Sequence, residues 1–243
     1  GKIAPIYHAR SRPPELEAEA INRMVLLASV ARDAPLYIVH LTNQLGMEFV
    51  RSARWRGQRF LFAETCPQYL LLDESRYLEP DALKYICAPP LRTAEHQRGL
   101  WRSIRGGDID TIATDHCPFF YEKEKQLGKG DFSKTPGGIP GVEARIPLMF
   151  NEVSTGRLTM DQFIRLCCTN PAKLFGMYPQ KGTIARGSDA DLVVIDPNKK
   201  THITFDRLHE NTDYTPYEGF SVAGCLALTT ARGEATVQHG DFT

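Results

Sequence analysis

Pro35-Leu36-Tyr37-Ile38-Val39-His40 is a short, almost continuous apolar run that ends on a histidine. A run of this length without polar alternation is how a parallel strand buried on both faces reads. Upstream, Pro13 and Pro14 stand where a first helical turn tolerates proline, and Glu15, Glu17 and Glu19 suit the positive end of a helix dipole. Ile21, Met24, Val25 and Ala28 recur at helical spacing, so this helix is expected to stop near 31–34. Downstream, the pattern predicts a helix over 45–56, a strand over 59–64, a helix over 95–104 closed by Gly106-Gly107, and a strand over 110–115 that ends on an acid. Strand, helix, strand, helix, strand predicts parallel α/β architecture.

Beyond 118 the character shifts. Residues 118–140 are irregular and rich in Lys, Gly and Pro, which suits either an active-site loop or a surface connector. Residues 143–152 and 160–168 read as helical, and 170–175 as a short helix ended by Gly176. After Lys181, the segments 182–184, 190–196, 202–205, 220–223 and 235–239 read as short strands with no helix between them. Two domains are therefore expected, 1–181 with α/β character and 182–243 as a small β unit.

The 243 residues carry 29 Lys+Arg against 29 Asp+Glu. That balance argues against a nucleic-acid or anionic-membrane surface as the main partner, because both require a concentrated basic face. No stretch approaches the roughly 20 apolar residues of a membrane span. Cys66, Cys87, Cys117, Cys167, Cys168 and Cys225 include no C-x-x-C pair and read as reduced thiols of a cytoplasmic protein. The first residue is Gly1 rather than Met, so the chain is expected to be processed or an excerpt.

His40 and Asp115 share a position: each follows an apolar strand and precedes a polar loop. In a (β/α)8 barrel this is the face that carries catalytic groups. Their separation, 115 − 40 = 75 residues, is a little over two barrel units of about 31 residues each. Imidazole and carboxylate at one barrel mouth suit a divalent metal, although one such pair also arises by chance in many α/β proteins. His8, His96, His116, His202, His209 and His239 show no ligand-pair spacing and read as surface or structural. Asp189-Ala190-Asp191 reads as a turn entering a strand. Lys123, Lys125, Lys129 and Lys134 are interleaved with Glu122, Glu124 and Asp131 and read as a solvated loop. Nucleotide-loop, dinucleotide and nucleophile-elbow motifs are missing from the sequence.

Five stretches carry a family resemblance: Leu36-Tyr37-Ile38-Val39-His40-Leu41, Ala63-Glu64-Thr65-Cys66-Pro67-Gln68-Tyr69, Pro89-Pro90-Leu91-Arg92, Ala113-Thr114-Asp115-His116-Cys117-Pro118-Phe119 and Gly130-Asp131-Phe132-Ser133-Lys134. With Asn170-Pro171-Ala172-Lys173-Leu174-Phe175-Gly176 and Gly187-Ser188-Asp189-Ala190-Asp191-Leu192-Val193-Val194-Ile195-Asp196-Pro197 they run in order along the chain, which resembles the D-hydantoinase/dihydropyrimidinase family of cyclic amidohydrolases. Within that family, Ile38-Val39-His40-Leu41-Thr42-Asn43 and Tyr178-Pro179-Gln180-Lys181-Gly182 look nearest to the bacterial phenylhydantoinases.

The resemblance implies a partial (β/α)8 barrel, its last three strand-helix units, followed by part of a small β-sandwich. It implies metal-dependent opening of cyclic ureides, hydantoins or dihydropyrimidines, to N-carbamoyl amino acids. His40 becomes a metal ligand, and Asp115 a ligand on a second metal and the catalytic proton shuttle. The two ions would be zinc or manganese. Ala88 and Gly137 match positions where the family holds the ureide through backbone groups; both depart from the usual Ser and Asn, which a main-chain contact tolerates. The family's H-x-H pair, its bridging carboxylated lysine and a further histidine have no counterpart here, so about five barrel units are expected to lie outside this chain. On its own the chain is expected to be inactive, and the full enzyme a cytoplasmic homo-oligomer, tetramer or dimer. The rival expectation is a non-catalytic truncated protein that serves as an assembly or scaffold module.

Overall fold

The computed structural model describes residues 1–238 and 240–243. They form two compact units, one comprising 1–142 with 209–216 and the other 143–208 with 217–243.

The first unit opens with α1 (Ile6–Arg10) and α2 (Pro14–Val30), followed by β1 (Leu36–Ile38), α3 (Gln44–Trp55), β2 (Leu61–Thr65), α4 (Pro67–Leu71), α5 (Ala94–Gly106) and β3 (Thr111–Ile112). The three strands form a parallel sheet in the order β1-β2-β3. Leu36, Tyr37 and Ile38 pair with Leu61, Phe62 and Ala63, and Glu64 pairs with Thr111. Although β3 has only two ladder residues, Asp110 N–H to Ala63 C=O and Ala113 N–H to Thr65 C=O extend the pairing at both ends. Arg54 of α3 ties the strand starts together, bonding Leu61 C=O, Asp108 C=O and the Asp110 carboxylate.

One expectation changes here. In α2 the core stripe is Ala18, Ile21, Val25 and Ala28, while Met24 lies outward; Met24 sits about 100° around the helix from its neighbour Val25 and so falls off that stripe. Within these residues β1 pairs with β2 alone; Ile38 is buried, Leu36 and Tyr37 are half-buried and Val39 is 46% exposed. Asn43 caps α3 by accepting from Gly46 N–H, and Gly107, in the left-handed region at φ 79°, ends α5 as the glycine pair predicted.

In the second unit, α6 (Arg145–Ser154) and α7 (Met160–Ile164) precede α8 (Asn170–Leu174). The helix expected over 160–168 is present and carries a π-type turn over Arg165–Thr169 that joins α7 to α8. Pro171, which has no N–H to donate, lies just beyond that turn. The strands β4 (Val193–His202), β5 (Ser221–Ala231), β6 (Glu234–Gln238) and β7 (Asp241–Phe242) form an antiparallel sheet in chain order. Of the candidates at 190–196 and 202–205, residues 193–196 and His202 belong to the one strand β4, which has a register shift between Asp196 and Lys200, while Phe205 opens a 3-10 turn. Pro197 falls inside that gap, where a missing N–H interrupts the ladder. Residues 182–184 form no strand, and the last residue of the 235–239 candidate, His239, lies outside the described residues. Asn151 of α6 accepts from Ala223 N–H, and Gly224 admits the Phe150 ring, which a Cβ would meet at 2.6 Å.

Candidate active site

The chemistry-bearing side chains of the first unit collect where its parallel strands end. His40 lies two residues past β1 and Asp115 three residues past β3. Both adopt left-handed backbone, φ 40° for His40 and 50° for Asp115. This conformation is costly for residues with a Cβ and is typical of side chains held for function. Arg32, Asp33 and Arg232 are the other positive-φ residues besides glycine among the described residues, and they lie in turns. With β2 between them and strands about 4.8 Å apart, the backbones at the two strand ends stand about 10 Å apart.

Each end is fixed by neighbours. Glu64 of β2 is buried; its carboxylate accepts from His40 N–H at 3.1 Å and from the Tyr37 hydroxyl at 2.5 Å. Burial, reinforced by that carboxylate, pushes the Tyr37 phenol up, so it remains a donor. Leu41 N–H bonds Glu64 C=O, and Thr65 Oγ1 bonds Leu41 C=O. Two residues past His40, Thr42 gives its N–H and hydroxyl to Glu17 of α2, and the buried Arg92 guanidinium closes the set on Thr42 Oγ1, Glu17 and Arg12 C=O. An open cavity of about 390 Å³ above this set is lined by His40, Ala88 and Arg92 among others.

Past Asp115 the chain zips to the returning end of the long loop. Cys117 N–H bonds Ile139 C=O, and His116 Nδ1 accepts from Gly141 and Val142 N–H at 3.1 and 3.2 Å. The Glu210 carboxylate stands 3.8 Å from the same nitrogen. Gly138 is required for this approach: a Cβ would stand 2.6 Å from Cys117 O and 2.8 Å from its Cβ. Gly138 N–H in turn bonds Ile86 C=O, which brings 137 beside 88; a Cβ on Gly137 would meet the Ala88 Cβ at 3.6 Å.

Ala88 and Gly137 are both exposed, and among the described residues neither main chain has a protein hydrogen-bond partner. Their neighbours are fully engaged. Ile86 C=O accepts from Lys125, Cys87 C=O from His8 Nε2 at 2.7 Å, and Pro89 C=O from the Tyr69 hydroxyl at 3.0 Å. Burial holds His8 down to about 4, so it is neutral at pH 7; its proton sits on Nε2, and Nδ1 accepts from Arg12.

Lys125, grouped by sequence with a solvated basic run, is instead fully buried. Its ammonium donates to Ile86, Pro136 and Gly138 C=O at 2.7, 2.9 and 2.6 Å. Nothing local distinguished it from Lys123 or Lys129, since its partners come from other segments. The Asp189–Asp191 pair is the turn it was expected to be: Lys181 bridges the two carboxylates, and Arg232 N–H bonds Asp191.

A histidine and an aspartate thus stand just past the ends of parallel strands, the face on which an α/β barrel carries its functional groups. The amidohydrolase family profile matches residues 15–236, and the chain belongs to that family. It is 51% identical over its entire length to a D-phenylhydantoinase of Escherichia coli K12, and it spans about half (53%) of that relative. A dihydropyrimidinase from Brevibacillus agri NCHU1002 matches with a TM-score of 0.96 at 42% identity, covering all of this chain and 53% of that one. An L-hydantoinase from Arthrobacter aurescens matches with a TM-score of 0.90 at 36% identity over the same shares. The three parallel strands are thus an arc of the (β/α)8 barrel of the hydantoinases.

Proposed function

We propose that this chain carries part of the active site of a cyclic amidohydrolase that opens hydantoins or dihydropyrimidines to N-carbamoyl amino acids. The observation that carries this reading is the pairing of His40 and Asp115 on left-handed backbone at the ends of parallel strands, in a chain half identical to a D-phenylhydantoinase. An imidazole and a carboxylate are a donor set that suits zinc or manganese, so the residues present fit a divalent metal. They fit it in part: among the described residues no three His, Cys, Asp or Glu side chains gather to hold an ion. A two-metal centre therefore needs ligands beyond His40 and Asp115. Bound divalent ions would supply Lewis-acid polarisation of the ring carbonyl and a water of lowered pKa.

This chain's own groups do the rest. His40 would hold one ion and Asp115 a second. The Asp115 carboxylate takes the proton of the attacking water as the C–O bond forms and delivers it to the ring nitrogen as the C–N bond breaks. At Ala88 and Gly137 the free N–H and C=O groups bind the ureide, whose own C=O and N–H groups are complementary to them. We assign 1–181 to the barrel and 182–243 to part of a β-sandwich. The reading also makes the complete protein a homo-oligomer of the cytoplasm, which the six free cysteines support. No helix among the described residues is long and apolar enough to cross a membrane.

Assay of hydantoin and dihydrouracil opening with parallel metal analysis tests the reading. The complete metal-loaded protein containing this chain is expected to open the ring, and Asp115→Asn to lower kcat by at least about a hundredfold. Failure of the complete protein to turn over either ring overturns the reading in favour of a non-catalytic assembly module. Enzyme-like turnover by these 243 residues alone, with two bound metals, overturns the partial-site assignment.

A further inference from the structure

We propose that Lys125 is a positioning residue for ureide recognition: its ammonium fastens the 86–88 segment to the 136–138 segment from beneath and so sets the spacing between the Ala88 and Gly137 main chains. The inference rests on the reading that those two residues hold the ureide. The geometry is that of a saturated clamp. An ammonium has three N–H donors, and three carbonyls receive them, one from the first segment and two from the second. The two carbonyls on the second segment belong to Pro136 and Gly138, the residues on either side of Gly137. Lys125 thus engages the flanks of the proposed ligand group and leaves Gly137 itself unclaimed.

On the other segment the same division holds. Lys125 takes Ile86 C=O, His8 takes Cys87 C=O and Tyr69 takes Pro89 C=O, so Ala88 alone of these four residues keeps its carbonyl for a ligand. One further bond links the segments directly, Gly138 N–H to Ile86 C=O. A single bond acts as a hinge; the ammonium supplies the second and third points that fix the angle. The groups facing the ammonium are Cys87, Cys117 and the neutral His8, with the Phe119 ring 5.6 Å from Nζ. Among the described residues no carboxylate is paired with it. A buried charge satisfied only by backbone carbonyls is an expensive core element where nothing but filling is needed, since an apolar side chain fills such space at lower cost.

The test uses the complete metal-loaded protein and two variants, Lys125→Met, which keeps an apolar stem without donors, and Lys125→Gln, which keeps two donors on a neutral head. KM and kcat for ring opening are measured at a temperature where circular dichroism of variant and wild type coincide. The expected result is a KM raised by about tenfold or more in Lys125→Met, by a larger factor than kcat falls, with Lys125→Gln between Met and wild type. A KM within about twofold of wild type in a folded Lys125→Met protein, whatever its melting temperature, overturns the proposal. So does a Lys125→Gln chain that cannot be recovered folded, which makes the lysine a core anchor only. An unmutated protein that opens no cyclic ureide overturns the parent reading instead, so the two failures are separable.

Discussion

Two loops of this chain look alike in sequence and differ in physics. Residues 121–138 and 180–191 are both polar segments with Lys, Gly and acids, Lys125 following Glu122 and Glu124 and Lys181 preceding Asp189 and Asp191. In the second loop Lys181 stays at the surface and bridges Asp189 and Asp191, as such runs suggest. In the first, Lys125 is fully buried and turns from its acidic neighbours to three backbone carbonyls. Burial pushes its ammonium down to about 8 while the carbonyls favour the charged form, so it is cationic at neutral pH. The comparison teaches that the partner, not the local charge pattern, decides a lysine's role. Carboxylates recruit it to the surface, where water screens the attraction, whereas unpaired carbonyls recruit it to the interior, where each bond is hard to replace.

The comparison breaks most readily at Lys125. Truncation by Lys125→Ala leaves the Pro136 and Gly138 carbonyls without donors, leaves Ile86 C=O with Gly138 N–H alone, and opens a cavity the length of the side chain. The expected loss is about 5 kcal/mol of folding stability, read from urea midpoints at constant slope. Next comes Gly138→Ala. Its Cβ would stand 2.6 Å from Cys117 O and 2.8 Å from the Cys117 sulfur; backbone on one side and a packed side chain on the other must move. A loss of about 3 kcal/mol is expected, again from urea midpoints.

Much of the first unit is legible in its sequence because the signals are local. Helix spacing gave α2, α3 and α5, and the strand-end positions of His40 and Asp115 follow from apolar runs closing on a polar residue. The left-handed backbone at both residues is not legible, since it goes with Glu64 holding His40 N–H and with the 139–142 segment holding 116–117. Nor is the clamp: the partners of Lys125 lie at 86, 136 and 138, and no periodicity of the loop points to them. In the second unit β4, β5 and β6 are legible but not their lengths, β7 is not legible, and the 182–184 candidate forms no strand. The break expected in β4 coincides with Pro197, where a bulge lets one strand continue past a residue that stops the ladder.

His8 sharpens the comparison through pH, with a smaller effect. Its ring is buried against Cys87 C=O and held neutral, with its proton affinity down to about 4 from an ordinary 6.5. The sign follows from proton counting. Between pH 6.5 and 4 the unfolded chain binds a proton at this residue and the folded chain does not, so stability is fully present above about 6.5 and is lost as pH falls to about 4. The loss assigned to this one residue is about 2 to 3 kcal/mol. His8→Gln keeps a donor for Cys87 C=O and removes the titration, so its urea midpoint is expected to fall less steeply than wild type across that window. Equal slopes would show that the acid sensitivity of the 86–88 segment arises elsewhere.

The smallest effect is expected at the surface lysine. Lys181→Met removes both bridges to Asp189 and Asp191, yet the side chain orders little and the attraction is screened. Arg232 N–H continues to hold Asp191, and Gln180 C=O continues to accept from Asp189 N–H. The turn therefore keeps its backbone anchors, and the urea midpoint is expected to stay within measurement error, at low salt as at high. A midpoint shift comparable with that of Lys125→Ala would mean that the exposed ion-pair turn bears as much of the fold as the buried carbonyl clamp, and the contrast between the two loops would then lie in solvent exposure alone.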